Sequence, residues 1–238
     1  MKTMLLFVCF LSIGTAFAQK KKTPSKADEG FVSLFDGASL KGWRAPDMKY
    51  WSVEQGAITA RCTAEMPCTE NQFLVWQGGK PADFELVLQF RIFGDDKKAN
   101  SGIQFRSQVE KDGHVVGYQA DISRKGAPWF GMIYDEKGRG KIGPRAHDSL
   151  ITSDRVFVHV PATPDEEIAT AFEQDGWNEY RILAFGDYLE LRINGVRTAR
   201  VLDRDAANSD GAGLLALQLH SGPPMRVQFK DIRIREYR

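Results

Sequence analysis

The chain has 238 residues, 42% of them hydrophobic, with a formal net charge of +1 at pH 7. That length holds one large domain or two small ones, and the composition supplies a sizeable core. Near-neutrality argues against a nucleic-acid partner, which needs a clustered basic surface, and it implies no steering of a strongly charged ligand.

At the N-terminus Lys2, the apolar residues 5–13 and the small-x-small site Ala16-Phe17-Ala18 before Gln19 predict a signal peptide over residues 1–18. Export to the periplasm or the extracellular space follows. The apolar run is short of the ~20 residues of a membrane span, so no transmembrane anchor is expected. Cys9 lies inside the apolar run after Phe7 and Val8, which excludes a lipoprotein anchor. Residues 19–29 are charged and lack apolar anchors, predicting a flexible tether. Residues 30–238 then form a single domain.

Within it, residues 31–35 read as a short strand closed by Asp36-Gly37. Residues 50–60 alternate around Gln55-Gly56, a hairpin turn. The two cysteines that survive cleavage, Cys62 and Cys68, share one loop, and in an oxidising compartment they predict a disulfide. No CxxC pair or Cys/His ligand set is present and the four histidines are scattered, which argues against zinc. Residues 84–93 form the cleanest strand, with Phe84, Leu86, Leu88, Phe90 and Ile92 on one face.

Residues 100–136 carry three further strand-like runs with polar groups at alternate positions. Gly102, Gln104, Arg106 and Gln108 share one face, Gln119 and Asp121 share another, and Tyr134 and Glu136 share a third. Amides, an Arg, carboxylates and a Tyr suit a polyhydroxylated ligand better than an ordinary wet face does. A Gly-rich polar loop is expected over residues 137–155, and a short helix over 161–172. Strands follow at 177–182 and 188–193, the latter closed by Asn194-Gly195. Gln218 and His220 share a face of the strand at 213–220, opposite Leu217 and Leu219. In residues 225–236 the apolar parity changes from Val227 and Phe229 to Ile232 and Ile234, predicting a bulge near Lys230-Asp231. Many short strands and almost no helical periodicity predict an all-β fold, a two-sheet antiparallel sandwich or jelly roll.

The ordered motifs Gly30-Phe31-x-x-Leu34-Phe35-Asp36-Gly37, Gly42-Trp43, Trp51-x-Val53, Asp83-Phe84-Glu85-Leu86, Asn100-Ser101-Gly102-Ile103 and Trp177-Asn178-Glu179-Tyr180-Arg181 resemble those of the 3-keto-disaccharide hydrolase domain. The likeness runs from about Gly30 to Glu236 and includes Gly213-Leu214 through His220. It implies a concanavalin-like jelly roll and cleavage of 3-keto-glucosides at C1 by elimination and hydration, fed by an upstream sugar 3-dehydrogenase.

Such chemistry needs a base for the acidified C2 proton, an enolate stabiliser and an acid for the leaving group. Asp121 or His220 is the expected base, Arg106 the ketone polariser, and Glu136 or Tyr134 the group assisting departure. Asn100, Gln104, Gln119, Gln218 and Trp129 are expected to hold the sugar. No cofactor is certain, though a divalent metal on Asp121, Glu136 and His220 could replace Arg106. Two other readings share the fold: a non-catalytic sugar-binding module, and a glycosidase using Asp121 and Glu136 as paired carboxylates.

Overall fold

The computed structural model describes residues 29–237, so the expected signal peptide and nearly all of the tether lie outside the described residues. Two sheets enclose one hydrophobic core, and strands are numbered β1 to β17 in chain order. The seven-stranded sheet runs β10 (Gly140–Gly143), β9 (Ile133–Glu136), β8 (Val115–Ser123), β7 (Asn100–Val109), β16 (Leu214–Leu219), β5 (Gln72–Trp76) and β2 (Trp43–Arg44). The ten-stranded sheet runs β12 (Phe157–Pro161), β11 (His147–Ile151), β15 (Val196–Asp203), β14 (Tyr188–Ile193), β13 (Asn178–Phe185), β6 (Phe84–Phe93), β17 (Met225–Glu236), β4 (Ala57–Cys62) and β3 (Trp51–Glu54), with β1 (Val32–Ser33) beside β17. This is a jelly-roll sandwich, antiparallel except where β11 lies parallel to β15.

Alternation explains the core. Phe84, Leu86, Leu88, Phe90 and Ile92 of β6 and Val227, Phe229, Ile232 and Ile234 of β17 are all buried and meet Ile103, Phe105, Leu217 and Leu219 of the other sheet. The expected bulge in β17 is present: register shifts between Lys230 and Arg233, and Asp231 takes φ 51°. Both hairpin turns have left-handed pairs, at Gln55-Gly56 (φ 52° and 77°) and Asn194-Gly195 (φ 49° and 83°). The expected helix is α1 (Asp165–Ala171).

Three expectations are corrected. Residues 137–155 are not a simple loop, because β10 and β11 lie within them: Gly140, Gly143 and Pro144 mark strand ends, and backbone pairing supplies the rest. The run at 129–136 is a strand only from Ile133; residues 129–131 form a turn. Cys62 and Cys68 are free thiols rather than a disulfide. Cys62 Sγ donates to Pro223 O (3.3 Å) and Cys68 Sγ to Glu70 O (2.9 Å), and burial pushes the Cys68 thiol up to about 11.

Candidate functional site

On the face of the seven-stranded sheet turned away from the core, register sets the expected polar residues into rows. Asp121 of β8 lies opposite Gly102 of β7. One strand further on, Leu217 opposite Ile103 brings Gln218 of β16 beside Gly102, and Gln218 in turn faces Phe73 of β5. The neighbouring row holds Ser123 opposite Asn100 and His220 beside Asn71, whose Oδ1 accepts from Ser221 N (2.9 Å). Gly102 is the floor: a Cβ there would lie 2.4 Å from Gln119 Cδ, so the missing side chain is the space Gln119 occupies.

Around that floor, four buried polar atoms have no hydrogen-bond partner: both amide atoms of Gln218, Asn100 Oδ1 and Ser123 Oγ. Native proteins leave few such atoms unpaired, because each costs about 1–3 kcal/mol. Four of them on one face make it the candidate site for a polar ligand.

Asp121 ends a directed chain of hydrogen bonds. Gln104 Nε2 donates to Gln119 Oε1 (2.7 Å), and Gln119 Nε2 donates to Asp121 Oδ1 (2.5 Å). Ser107 Oγ lies within hydrogen-bond distance of Gln104 Oε1 (2.9 Å), Phe105 O (3.0 Å) and Tyr118 O (3.3 Å). Burial holds the Asp121 carboxyl well above the usual carboxylate range; the Gln119 bond opposes this, and the Glu136 charge adds to it. Asp121 therefore retains its proton to unusually high pH. His220 Nδ1 lies 2.6 Å from Ser221 O. A carbonyl only accepts, so Nδ1 carries the proton in the neutral ring and Nε2 is left as an acceptor.

Arg106 is not on this face, which corrects its expected place beside Asp121. It takes φ 48° in a bulge where register shifts between Phe105 and Gln108, so parity changes there. Its guanidinium donates to Ala82 O (2.7 Å), Gly186 O (2.8 Å), Asp210 O (3.3 Å) and Asp83 Oδ1 (2.9 Å). Arg106 is a clamp between loops. The same bulge bends the β7–β8 hairpin over the sheet face, where Val115 packs on Phe73, Val75 and Ala216 and Gly113 sits against Pro46.

Under the hairpin tip is a cavity of about 570 Å³ lined by His220, Asn71, Phe73, His114 and Asp112. His114 and Phe73 were not legible as site residues, because only the bend brings them there; their rings meet edge-on at 5.0 Å. Ser123 was missed too, although it shares the parity of Gln119 and Asp121.

Tyr134 faces Gln119 across β8–β9. Glu136 faces Gly117, four residues along β8 from Asp121, and bonds to His114 Nε2 (3.0 Å). Four residues are about 13 Å of strand, so Asp121 and Glu136 do not form the close pair of a retaining glycosidase, ~5 Å apart. Among the described residues no three His, Cys, Asp or Glu side chains are grouped to hold a metal ion, so Asp121, Glu136 and His220 do not assemble the expected set. Trp129 stands exposed in the β8–β9 loop, whose backbone closes onto Asp121 through Gly131 N (3.2 Å). Trp43 is buried in the core. No helix among the described residues is long and apolar enough to cross a membrane.

Solved structures agree on the jelly-roll fold. A proposed glycosyl hydrolase from Parabacteroides distasonis ATCC 8503 matches at 19% identity and TM-score 0.59, covering 91% of this chain and 99% of that one. The carbohydrate-binding module CBM66 from Bacillus subtilis matches at 14% identity and TM-score 0.53, over 82% and 96% of the two chains. A Bacillus subtilis protein of unknown function with a galectin-like fold matches at 11% identity and TM-score 0.58, over 89% and 92%. No match is found among curated proteins. The chain belongs to the family of the 3-keto-alpha-glucoside-1,2-lyase-like domain, whose model matches residues 30–235.

Proposed function

We propose that the protein is an exported enzyme that cleaves 3-keto-glucosides at C1 by elimination followed by hydration. One observation carries the reading: the unpartnered Gln218, Asn100 and Ser123 atoms lie around the Gly102 floor, between a carboxyl that keeps its proton and an imidazole with a free acceptor nitrogen. Burial suits Asp121 to the acid role, and the acceptor Nε2 suits His220 to the base role. His220 Nε2 takes the C2 proton, which the neighbouring ketone makes acidic. The electron pair moves onto the C3 oxygen, where the Gln218 amide N–H groups stabilise the enolate. The enolate collapses to a C1=C2 double bond and expels the C1 substituent, whose oxygen takes the proton of Asp121. Water then adds across C1=C2. Asn100, Ser123, Gln104 and Gln119 hold hydroxyls or keep Asp121 oriented, and Trp129 stacks at the rim.

The test is turnover of 3-keto-glucosides in D₂O with mass spectrometry of the product. Deuterium at C2 and no cleavage of glycosides lacking the ketone are expected. His220→Ala should lose about 10²–10⁴ in rate on every substrate. Asp121→Asn should lose as much with an alcohol leaving group and far less with an acidic phenol, which needs no protonation. Equal losses on both leaving groups would remove Asp121 from the acid role. Sugar binding without any turnover would favour the lectin-like module.

A further inference from the structure

Net charge says nothing about how charges are distributed, and the outer face of the ten-stranded sheet is strongly uneven. Five side chains there form a continuous ladder of alternating cations and rings. Arg226 Cζ lies 4.3 Å from the Phe93 centroid, and Arg91 Cζ lies 5.4 Å from the same ring. Arg91 also stands 4.5 Å from the Trp177 ring, whose other neighbour is Lys230 Nζ at 4.2 Å.

Register explains the assembly: Arg226 of β17 pairs with Phe93 of β6, and Gln228 pairs with Arg91. Gln228 Oε1 accepts from Arg91 Nε (2.7 Å) and its Nε2 donates to Thr59 Oγ1 (2.8 Å), so Arg91 is held from below.

None of Arg91, Arg226 and Lys230 has a carboxylate partner among the described residues. Glu54 pairs with Arg61 (2.8 Å) and Glu179 with Arg181 (3.5 Å). Arg226 is also placed directly opposite Arg61 across β17–β4, and like charges facing each other across strands destabilise a sheet. Arg226 Nε is buried with no partner at all. A chain of net charge +1 thus gathers cations without carboxylate partners on one face, held there by the ring contacts and by Gln228.

We infer that this ladder is a binding site for an acidic polysaccharide, whose carboxylates or sulfates lie along the row Arg226, Arg91 and Lys230. The remaining guanidinium N–H groups of Arg91 and Arg226 and the Lys230 ammonium are charge-assisted donors of the kind that bind carboxylate or sulfate. The rings are already covered by cations, so they offer no free platform for stacked bases, which separates this surface from a single-strand nucleic-acid site. The site lies on the opposite sheet from Asp121 and is independent of the proposed reaction.

The experiment is electrophoresis of the full chain through gels containing polygalacturonate, dextran or no polymer, at 50 and 200 mM NaCl, with melting curves for every variant. Polygalacturonate should retard the protein and dextran should not, with retardation falling as salt rises. Arg226→Gln with Lys230→Gln should weaken binding at least about tenfold, the scale of one charge-assisted hydrogen bond. Arg226→Lys with Lys230→Arg should keep most of it. Absence of retardation, equal retardation by dextran, or undiminished binding by the folded Gln variant would overturn the inference. Single-stranded DNA binding as tightly as polygalacturonate would overturn the assigned ligand class.

Discussion

Replacing Arg106 with Met keeps most of the apolar stem and removes the guanidinium, which makes it a direct test of whether this residue shapes the fold or meets substrate. Three backbone carbonyls then lose this donor, and Asp83 Oδ1 keeps only Gly186 N (2.9 Å). Breaking a buried charge pair by removing one partner costs about 3–5 kcal/mol. The Asp83 side chain keeps 34% of its exposure and can turn to water, whereas Arg106 keeps only 2%, which places the expected loss at the lower end, about 3 kcal/mol. That is a large part of a typical stability of ~5–15 kcal/mol. Urea unfolding followed by tryptophan fluorescence reads it as a lowered midpoint with unchanged slope. The bend of the β7–β8 hairpin should loosen as well, raising KM more than it lowers kcat. A loss under about 1 kcal/mol together with a collapse of kcat would refute this reasoning and return Arg106 to the reaction.

Gly102→Ala puts a methyl where Gln119 Cδ now lies, at 2.4 Å. It should break the Gln119–Asp121 bond and cost about 1–3 kcal/mol of stability, with a crystal structure showing Gln119 displaced. Asp121→Asn should make the protein more stable at pH 7. The sign follows from the raised folded pKa: the native state holds the proton more tightly than the unfolded chain, so wild-type stability falls as pH rises from the unfolded value towards the folded one. Thermal melting from pH 3 to pH 8 should show the two proteins converging at the acid end, and parallel curves would contradict it.

Much of the sandwich was legible because alternation is enforced wherever one face is buried. The β17 bulge followed from parity alone, since Ile232 and Ile234 had to reach the same core as Val227 and Phe229. Asp121, Gln119 and Gln218 were found the same way. The β7 bulge was invisible for the opposite reason: the left-handed position is held by Arg106 rather than Gly or Asn, and Arg106 is as polar as the face it leaves. Its left-handed backbone is held by partners up to 104 residues away, which no local pattern records. His114 and Phe73 depend on that bend and were lost with it. The Cys62–Cys68 expectation rested on compartment and spacing, whereas each thiol is held by its own carbonyl.

The amide chain leading to Asp121 also has a stereochemical meaning. Every donor in it points the same way, from Gln104 through Gln119 to Oδ1. Oδ1 is therefore spoken for as an acceptor, and the acidic proton resides on Oδ2. A carboxyl with one working oxygen can hand its proton over from one direction only. In the proposed reaction this relay would make the site handed: a substrate of the opposite anomeric configuration would present its leaving oxygen to the wrong side of the same carboxyl.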